Sequence, residues 1–440
     1  MILRWFYSIV LMIVSPFFLY SLYKSKPNKP KFGQRWKEHF GCTPKLPETI
    51  GAPIWIHAVS VGEVLAVTPL IKTFKKQNPT VSIIITTTTS TGAAEAEKLG
   101  DLVEHRYMPV DFSFAVNGFI RAIQPQALFI METELWPNTL HCCQVHNIPV
   151  TIINARLSAR SEARYKKFPF VFSLLLKNIN YILAQTKQDA QRFMNLGLKT
   201  EQVSVTGSIK FDIKVNDEQL TQASLLRHSL GQDRPIWIAA STHKGEDEQL
   251  IKAHQQLLSK KPNALLILVP RHPERFLSVQ ILAEQTGLSV TTRSSQQAIA
   301  ENTQVYLGDS MGEMMVLLGA ADVCFIAGSL IGDKVGGHNL LEPAALKKPI
   351  LTGPSYFNFK QITEQLVELG ACKICQNSNQ ITHSLMQLFD NKKMRLEQGK
   401  IAFSFVQKNQ GALQKTIEKM QADKIQTIDK MKTKDAMQTK

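Results

Sequence analysis

Ile54-Trp55-Ile56-His57-Ala58-Val59-Ser60-Val61-Gly62-Glu63 begins as a short apolar run and passes through a small turn into a helical pattern reaching Leu70 to Lys76. A run of strand length that feeds an amphipathic helix is half of a βαβ unit. Further runs of this kind predict strands at Val81–Thr86, Ala127–Met131, Val150–Asn154, Tyr181–Ala184 and Val203–Val205. Together they make one α/β, doubly wound, Rossmann-like domain. The segment from Asp212 to Arg234 is polar and strandless, and a second series follows at Ile236–Ala240, Leu265–Val269, Val305–Leu307, Val323–Ile326 and Ile350–Leu351. A second Rossmann-like domain is expected there. Two such domains facing across a cleft is the expected architecture, one shared by several classes of nucleotide enzyme.

The 440 residues exceed what one core usually supports, and 44% hydrophobic with 20% charged residues is the composition of a folded protein. The expected division is a membrane anchor over 1–24, a basic linker over 25–50, domains over 51–214 and 215–423, and a flexible basic tail over 424–440. A formal charge of +15 favours an anionic partner without choosing between nucleic acid, acidic lipid and phosphorylated sugar. The six cysteines lack the spacing of a disulfide framework, and Cys372-x-x-Cys375 has no second pair to complete a zinc site, so it reads as two small apolar residues beside a strand.

Trp5–Tyr23 contains no charge, carries aromatic residues near its ends, and is followed by Lys24, Lys26, Lys29 and Lys31. Such a segment is long enough to cross a membrane, with the body on the cytoplasmic side by the positive-inside rule. The same residues would equally suit a helix lying in the headgroup region. No Ala-x-Ala-like site marks it as a cleaved signal.

Several motifs sit where open α/β sheets hold ligands, at strand carboxyl ends. Glu63 opens a helix after the first strand, where it either orients a ligand or complements the helix dipole. Met131-Glu132-Thr133-Glu134-Leu135-Trp136-Pro137-Asn138 puts two carboxylates at another strand end, Glu134 being the more structural of the two. Asn154-Ala155-Arg156-Leu157-Ser158 and Gly207-Ser208-Ile209-Lys210-Phe211-Asp212 bring cations to the same edge. In the second series, Pro270-Arg271-His272-Pro273 holds Arg271 rigidly enough to meet a phosphate. Gly308-Asp309-Ser310-Met311-Gly312-Glu313 opens an apolar helix, and Gly336-Gly337-His338-Asn339-Leu340-Leu341-Glu342 joins a glycine-rich loop to a helix whose glutamate can accept ribose hydroxyls. Gly-x-Gly-x-x-Gly, the P-loop and Asp-x-Asp are all missing, which argues against dehydrogenases, P-loop enzymes and metal-dependent sugar transfer.

These motifs, in this order, resemble the 3-deoxy-D-manno-octulosonic acid (Kdo) transferases of lipopolysaccharide synthesis, from the N-terminal apolar segment to about residue 420. The resemblance implies an inverting GT-B glycosyltransferase that moves Kdo from CMP-Kdo to a lipid A precursor at the cytoplasmic face of the inner membrane. It implies no metal or other cofactor and no nucleic acid partner. Residue by residue it implies Glu63 as the catalytic base, and Glu132 and Lys210 as stabilisers of the transition state. It also implies a CMP site of Pro270, Arg271, Met311, Gly312, Glu313, Asn339, Leu340, Leu341 and Glu342. The basic tail lies outside the family pattern.

Overall fold

The structure, a computed structural model, describes residues 2–24, 30–47 and 51–422. The expected tail over 424–440 and parts of the expected linker lie outside the described residues. The chain forms two compact units: Met1–Asp212 with Gln410–Lys440, and Ile213–Asn409.

The first unit is a seven-stranded parallel sheet. Its strands are β1 (Ile54–His57), β2 (Ile83–Thr87), β3 (Glu104–Tyr107), β4 (Ala127–Met131), β5 (Val150–Ala155), β6 (Tyr181–Ala184) and β7 (Val203–Val205), in the order β3-β2-β1-β4-β5-β6-β7. Its direction of winding reverses between β1 and β4, which pair in register from Ile54 opposite Ala127. Helices cover both faces, so the inner strands are buried on both sides and read as unbroken apolar runs. Ile54 and Ile56 enter one core with Ile85 and Phe129, while Trp55 enters the other with Leu128 and Ile130. The Trp55 indole N–H donates to Thr86 Oγ1 at 2.8 Å, which satisfies a polar group that burial would otherwise strand.

The second unit repeats the plan with β8 (Ile236–Thr242), β9 (Leu265–Pro270), β10 (Val290–Thr292), β11 (Val305–Leu307), β12 (Val323–Ile326), β13 (Ile350–Thr352) and β14 (Cys372–Ile374), ordered β10-β11-β9-β8-β12-β13-β14. Here the winding reverses between β8 and β12.

Three strands escape the sequence pattern: β3, β10 and β14. All lie at or beside sheet edges, and β3 alternates between half-buried and buried residues. A strand covered on one side needs no apolar run.

Two segments depart from the expected division. The basic stretch after the N-terminal helix is no simple linker: Gly33–Phe40 is a 3-10 helix whose Glu38 accepts the Tyr107 N–H at 2.7 Å and pairs with Arg35 at 2.8 Å. The last helical stretch, 412–422, belongs to the first unit instead of continuing the second. Ala412, Leu413, Ile417 and Met420 complete the core under β1 and β4, and Asp212 accepts the N–H groups of Gly411 and Leu413 at 2.7 Å each.

Candidate active site

In the first unit, the loops after β1 and β4 flank the point where the winding reverses. The helix Val61–Gln77 starts directly after β1, and Glu63 in its first turn folds back so that Val59 N–H donates to Oε2 at 2.9 Å and the Ser60 hydroxyl to Oε1 at 3.2 Å. Burial pushes the Glu63 carboxyl up to about 7, the Val59 N–H opposes this, and the charges of Glu132 and Glu134 add to it. A carboxyl that ionises near neutrality can take a proton at the pH of a cell.

Glu132 leaves β4 with φ 58° and hydrogen-bonds the Ile153 carbonyl through its N–H at 3.0 Å. Asn154, next to last in β5, has φ 54° where the strand's register shifts. Its Oδ1 accepts the Ile209 N–H at 3.2 Å, fixing the short 3-10 turn Ile209–Phe211 that carries Lys210. Lys210 Nζ then lies 3.8 Å from Glu132 Oε1. Backbone in the left-handed region at non-glycine residues is strain of the kind that gathers at functional loops, and Ser241 at the end of β8 repeats it with φ 63°. The structure thus brings together Glu63, Glu132 and Lys210 within the first unit. Glu134 joins them, its carboxyl raised by burial and then by Glu132. Arg156 reaches the same edge but is exposed.

In the second unit, Arg271 follows β9, and its charge acts on Glu342, whose carboxyl is raised chiefly by burial. Asn339 bridges the loop: its Nδ2 donates to Glu342 Oε1 at 3.2 Å and its Oδ1 accepts the Leu341 N–H at 3.1 Å. The expected helix is only the five residues Leu341–Ala345. Leu340 and Leu341 point into the core, so contact with a ligand would have to come from their backbone. The expected phosphate cradle is also partly occupied, since Gly337 N–H donates to the Gly328 carbonyl at 2.8 Å.

Met311 and Gly312 lie on an open loop, and Glu313 is held by Arg293 at 2.7 Å, which lowers its carboxyl. That pair lines a cavity of about 450 Å³ with Ser310, Tyr306 and Ser294. Among the described residues, no three His, Cys, Asp or Glu side chains group as a metal site requires.

Other residues at this edge were not singled out from sequence. Glu246 is fully buried and accepts four backbone N–H groups, from His243 at 2.9 Å, Gly328 at 2.7 Å, Ser329 at 2.8 Å and Leu330 at 2.9 Å. It ties the loop after β8 to the loop after β12. The rings of His243 and His338 are nearly coplanar, 9° apart with centroids at 5.1 Å, so their Nε2 atoms meet head to head at 2.8 Å. Burial, then their imidazole and guanidinium neighbours, push both rings down to about 4. One proton therefore lies between two neutral rings. The signal for His243 and Glu246 was the rule that singled out Glu63, applied to the loop after β8.

Residues 34–213 match the family described as 3-Deoxy-D-manno-octulosonic-acid transferase (kdotransferase), and residues 239–405 match glycosyl transferases group 1. The solved UDP-GlcNAc 2-epimerase from Neisseria meningitidis is similar in fold, with a TM-score of 0.56 at 14% identity over 84% of this chain and all of that one. The two family matches make the chain a glycosyltransferase, and its two Rossmann-like units are those of the GT-B fold class. The chain is 42% identical to the 3-deoxy-D-manno-octulosonic acid transferase of Haemophilus influenzae over 94% of its own length and 97% of the relative's. It is 31% identical to that of Bordetella pertussis over 86% and 89%. The chain belongs to the Kdo transferase family.

Proposed function

We propose that the enzyme transfers Kdo from CMP-Kdo to a lipid A precursor, a tetraacyl disaccharide bisphosphate, with release of CMP and inversion at the anomeric carbon. The observation that carries this reading is the cluster in which Glu63, held near neutral pKa, faces the Glu132–Lys210 pair. A sugar hydroxyl of the acceptor attacks the anomeric carbon from the face opposite the nucleotide. Its proton passes to Glu63, and the bond to the phosphate oxygen breaks with its electron pair leaving on CMP. The Glu132 carboxylate supports positive charge developing on the sugar ring, and Lys210 supports negative charge developing on the donor's anionic groups.

The nucleotide is assigned to the second unit, with Arg271 at the phosphate and Glu342 at the ribose; Pro270, Met311, Gly312, Glu313, Asn339, Leu340 and Leu341 complete that site. Lys210 and Arg271 supply the positive charge, and the reaction is assigned no metal or other cofactor. The N-terminal helix keeps the enzyme at the cytoplasmic face of the inner membrane, among phospholipid and beside its lipid acceptor. The test is incubation of purified protein with CMP-Kdo and the precursor, reading CMP released against Kdo-bearing lipid and the anomeric configuration by NMR. Equal amounts and an inverted centre support the proposal; retention of configuration, or CMP release without lipid product, overturns it.

A further inference from the structure

The N-terminal helix, Ile2–Tyr23, is covered along one stripe for nearly its whole length. Arg4, Ser8, Leu11, Ser15, Leu19 and Leu22 are all partly or fully buried, and they recur every three or four residues, as one face of a helix does. The opposite side is apolar and bare: Trp5, Phe6, Met12, Ile13, Phe17 and Tyr20 are each exposed by more than half.

Both ends of the stripe are fastened to the first unit. Near the start, Tyr7 hydrogen-bonds the buried Asp111 carboxylate, and Asn138 Nδ2 donates to Ser8 Oγ at 3.1 Å and to the Asp111 carbonyl at 2.6 Å. Near the end, the Tyr23 hydroxyl meets His39 Nδ1 at 2.7 Å, and Leu19, Leu22 and Tyr23 pack on Phe32, Ala93 and Tyr107. Ser8 and Tyr23 are 15 residues apart, about 22 Å along a helix axis.

We propose that this helix is an in-plane anchor, lying along the first unit with its bare face in the headgroup and acyl boundary of a phospholipid bilayer, and does not cross it. A crossing helix would carry its fastening points through most of a hydrocarbon core about 30 Å thick. The polar contacts at Asp111 and Asn138 would have to follow it into the lipid. A helix lying flat keeps those polar contacts and still buries its apolar face, which is more than a soluble monomer usually leaves bare. Exposed Lys24, Lys31 and Lys37 and half-exposed Trp36 follow the helix closely in sequence and are residue types that favour an anionic lipid surface.

Asn138 also closes the Met131–Asn138 loop, which bears Glu132 and Glu134. Fastening the helix to Asn138 therefore seats that loop at headgroup height. This last step rests on the proposed function, because headgroup height is where the sugars of a lipid acceptor stand.

The test places single cysteines at Phe6→Cys, Ile13→Cys and Tyr20→Cys, which share one exposed face seven residues apart, in a Cys42→Ser background. Each carries a fluorescent probe, and the protein is bound to phosphatidylethanolamine and phosphatidylglycerol vesicles whose lipids hold a nitroxide either near the headgroup or near the acyl terminus. The in-plane anchor gives the same shallow depth at all three sites. A probe at Ile13 that is quenched best by the deep nitroxide, with Phe6 and Tyr20 shallow, would show a crossing helix and overturn the proposal. Absence of quenching at every site would overturn it too, and would direct the face to a second copy of the chain. The readout needs neither donor nor acceptor, so it stands apart from the fate of the transferase reading.

Discussion

Replacing Glu63 by Gln keeps the shape of the side chain and removes its charge, and the structure sets both the sign and the size of the result. Burial lifts the carboxyl from its ordinary 4.5 to about 7. At about 1.4 kcal/mol per pH unit, ionising it inside the fold costs roughly 3 kcal/mol more than in the unfolded chain, and solvent reaching the partly covered group trims this to about 2 kcal/mol. Because the folded pKa is the higher one, the stabilising contribution is complete below pH 4.5 and is lost as pH rises through 7. Glu63→Gln is free of that loss. Its melting temperature should exceed that of the wild type by a margin that grows between pH 5 and pH 8 to about 4–8 °C, taking about 2–4 °C per kcal/mol for a unit of this size. Over the same range kcat/KM of the wild type should rise through pH 7 as the base becomes ionised, while the variant loses about 10²–10⁴-fold in rate and has no such limb. Parallel melting of the two proteins at every pH, or a wild-type profile flat through pH 7, would refute the placement of an ionisable base there.

Lys210→Ala should lower kcat by about 10²–10³-fold with little change in melting temperature, since the pair with Glu132 is long and open to solvent; steady-state kinetics beside a thermal melt will show it. Glu246→Ala leaves four buried N–H groups without their acceptor and should cost about 3–5 kcal/mol, read as a lower melting temperature together with weaker CMP binding by calorimetry. Gly399→Ala would drive a Cβ into the Lys347 carbonyl oxygen, so the helix Lys392–Asn409 must shift; a loss of about 1–3 kcal/mol is expected in denaturant unfolding, with the chemistry of the first unit unaffected.

The central strands were legible because parallel strands covered on both faces are apolar almost throughout, as residues 54–56 and Leu265–Pro270 are. Glu104–Tyr107 lies at the sheet edge, where half its side chains face outward, and its polar residues hide it from the same rule. Glu63, Glu132 and Lys210 could be singled out because each follows a recognisable strand. Their convergence could not, because it depends on the positive φ at Glu132 and on Asn154 fixing the Ile209–Phe211 turn. The return of residues 412–422 to the first unit was hidden for a different reason: Ala412, Leu413, Ile417 and Met420 form a helical apolar stripe that would suit either core, and only the Asp212 cap records the choice. At the N-terminus composition allowed both a crossing and a lying helix, and the stripe of covered residues, which the sequence does not reveal, is the ground for the lying helix proposed above.

Mass analysis of lipid products from wild type and Glu63→Gln, each first shown to bind CMP, tests the central claim most directly. The wild type should convert the tetraacyl precursor to species heavier by whole Kdo units, and the variant should bind CMP equally well yet form almost none. Turnover by the variant at the wild-type rate would remove Glu63 as the base, and a wild type that binds CMP but leaves a competent acceptor unchanged would contradict the transferase account itself.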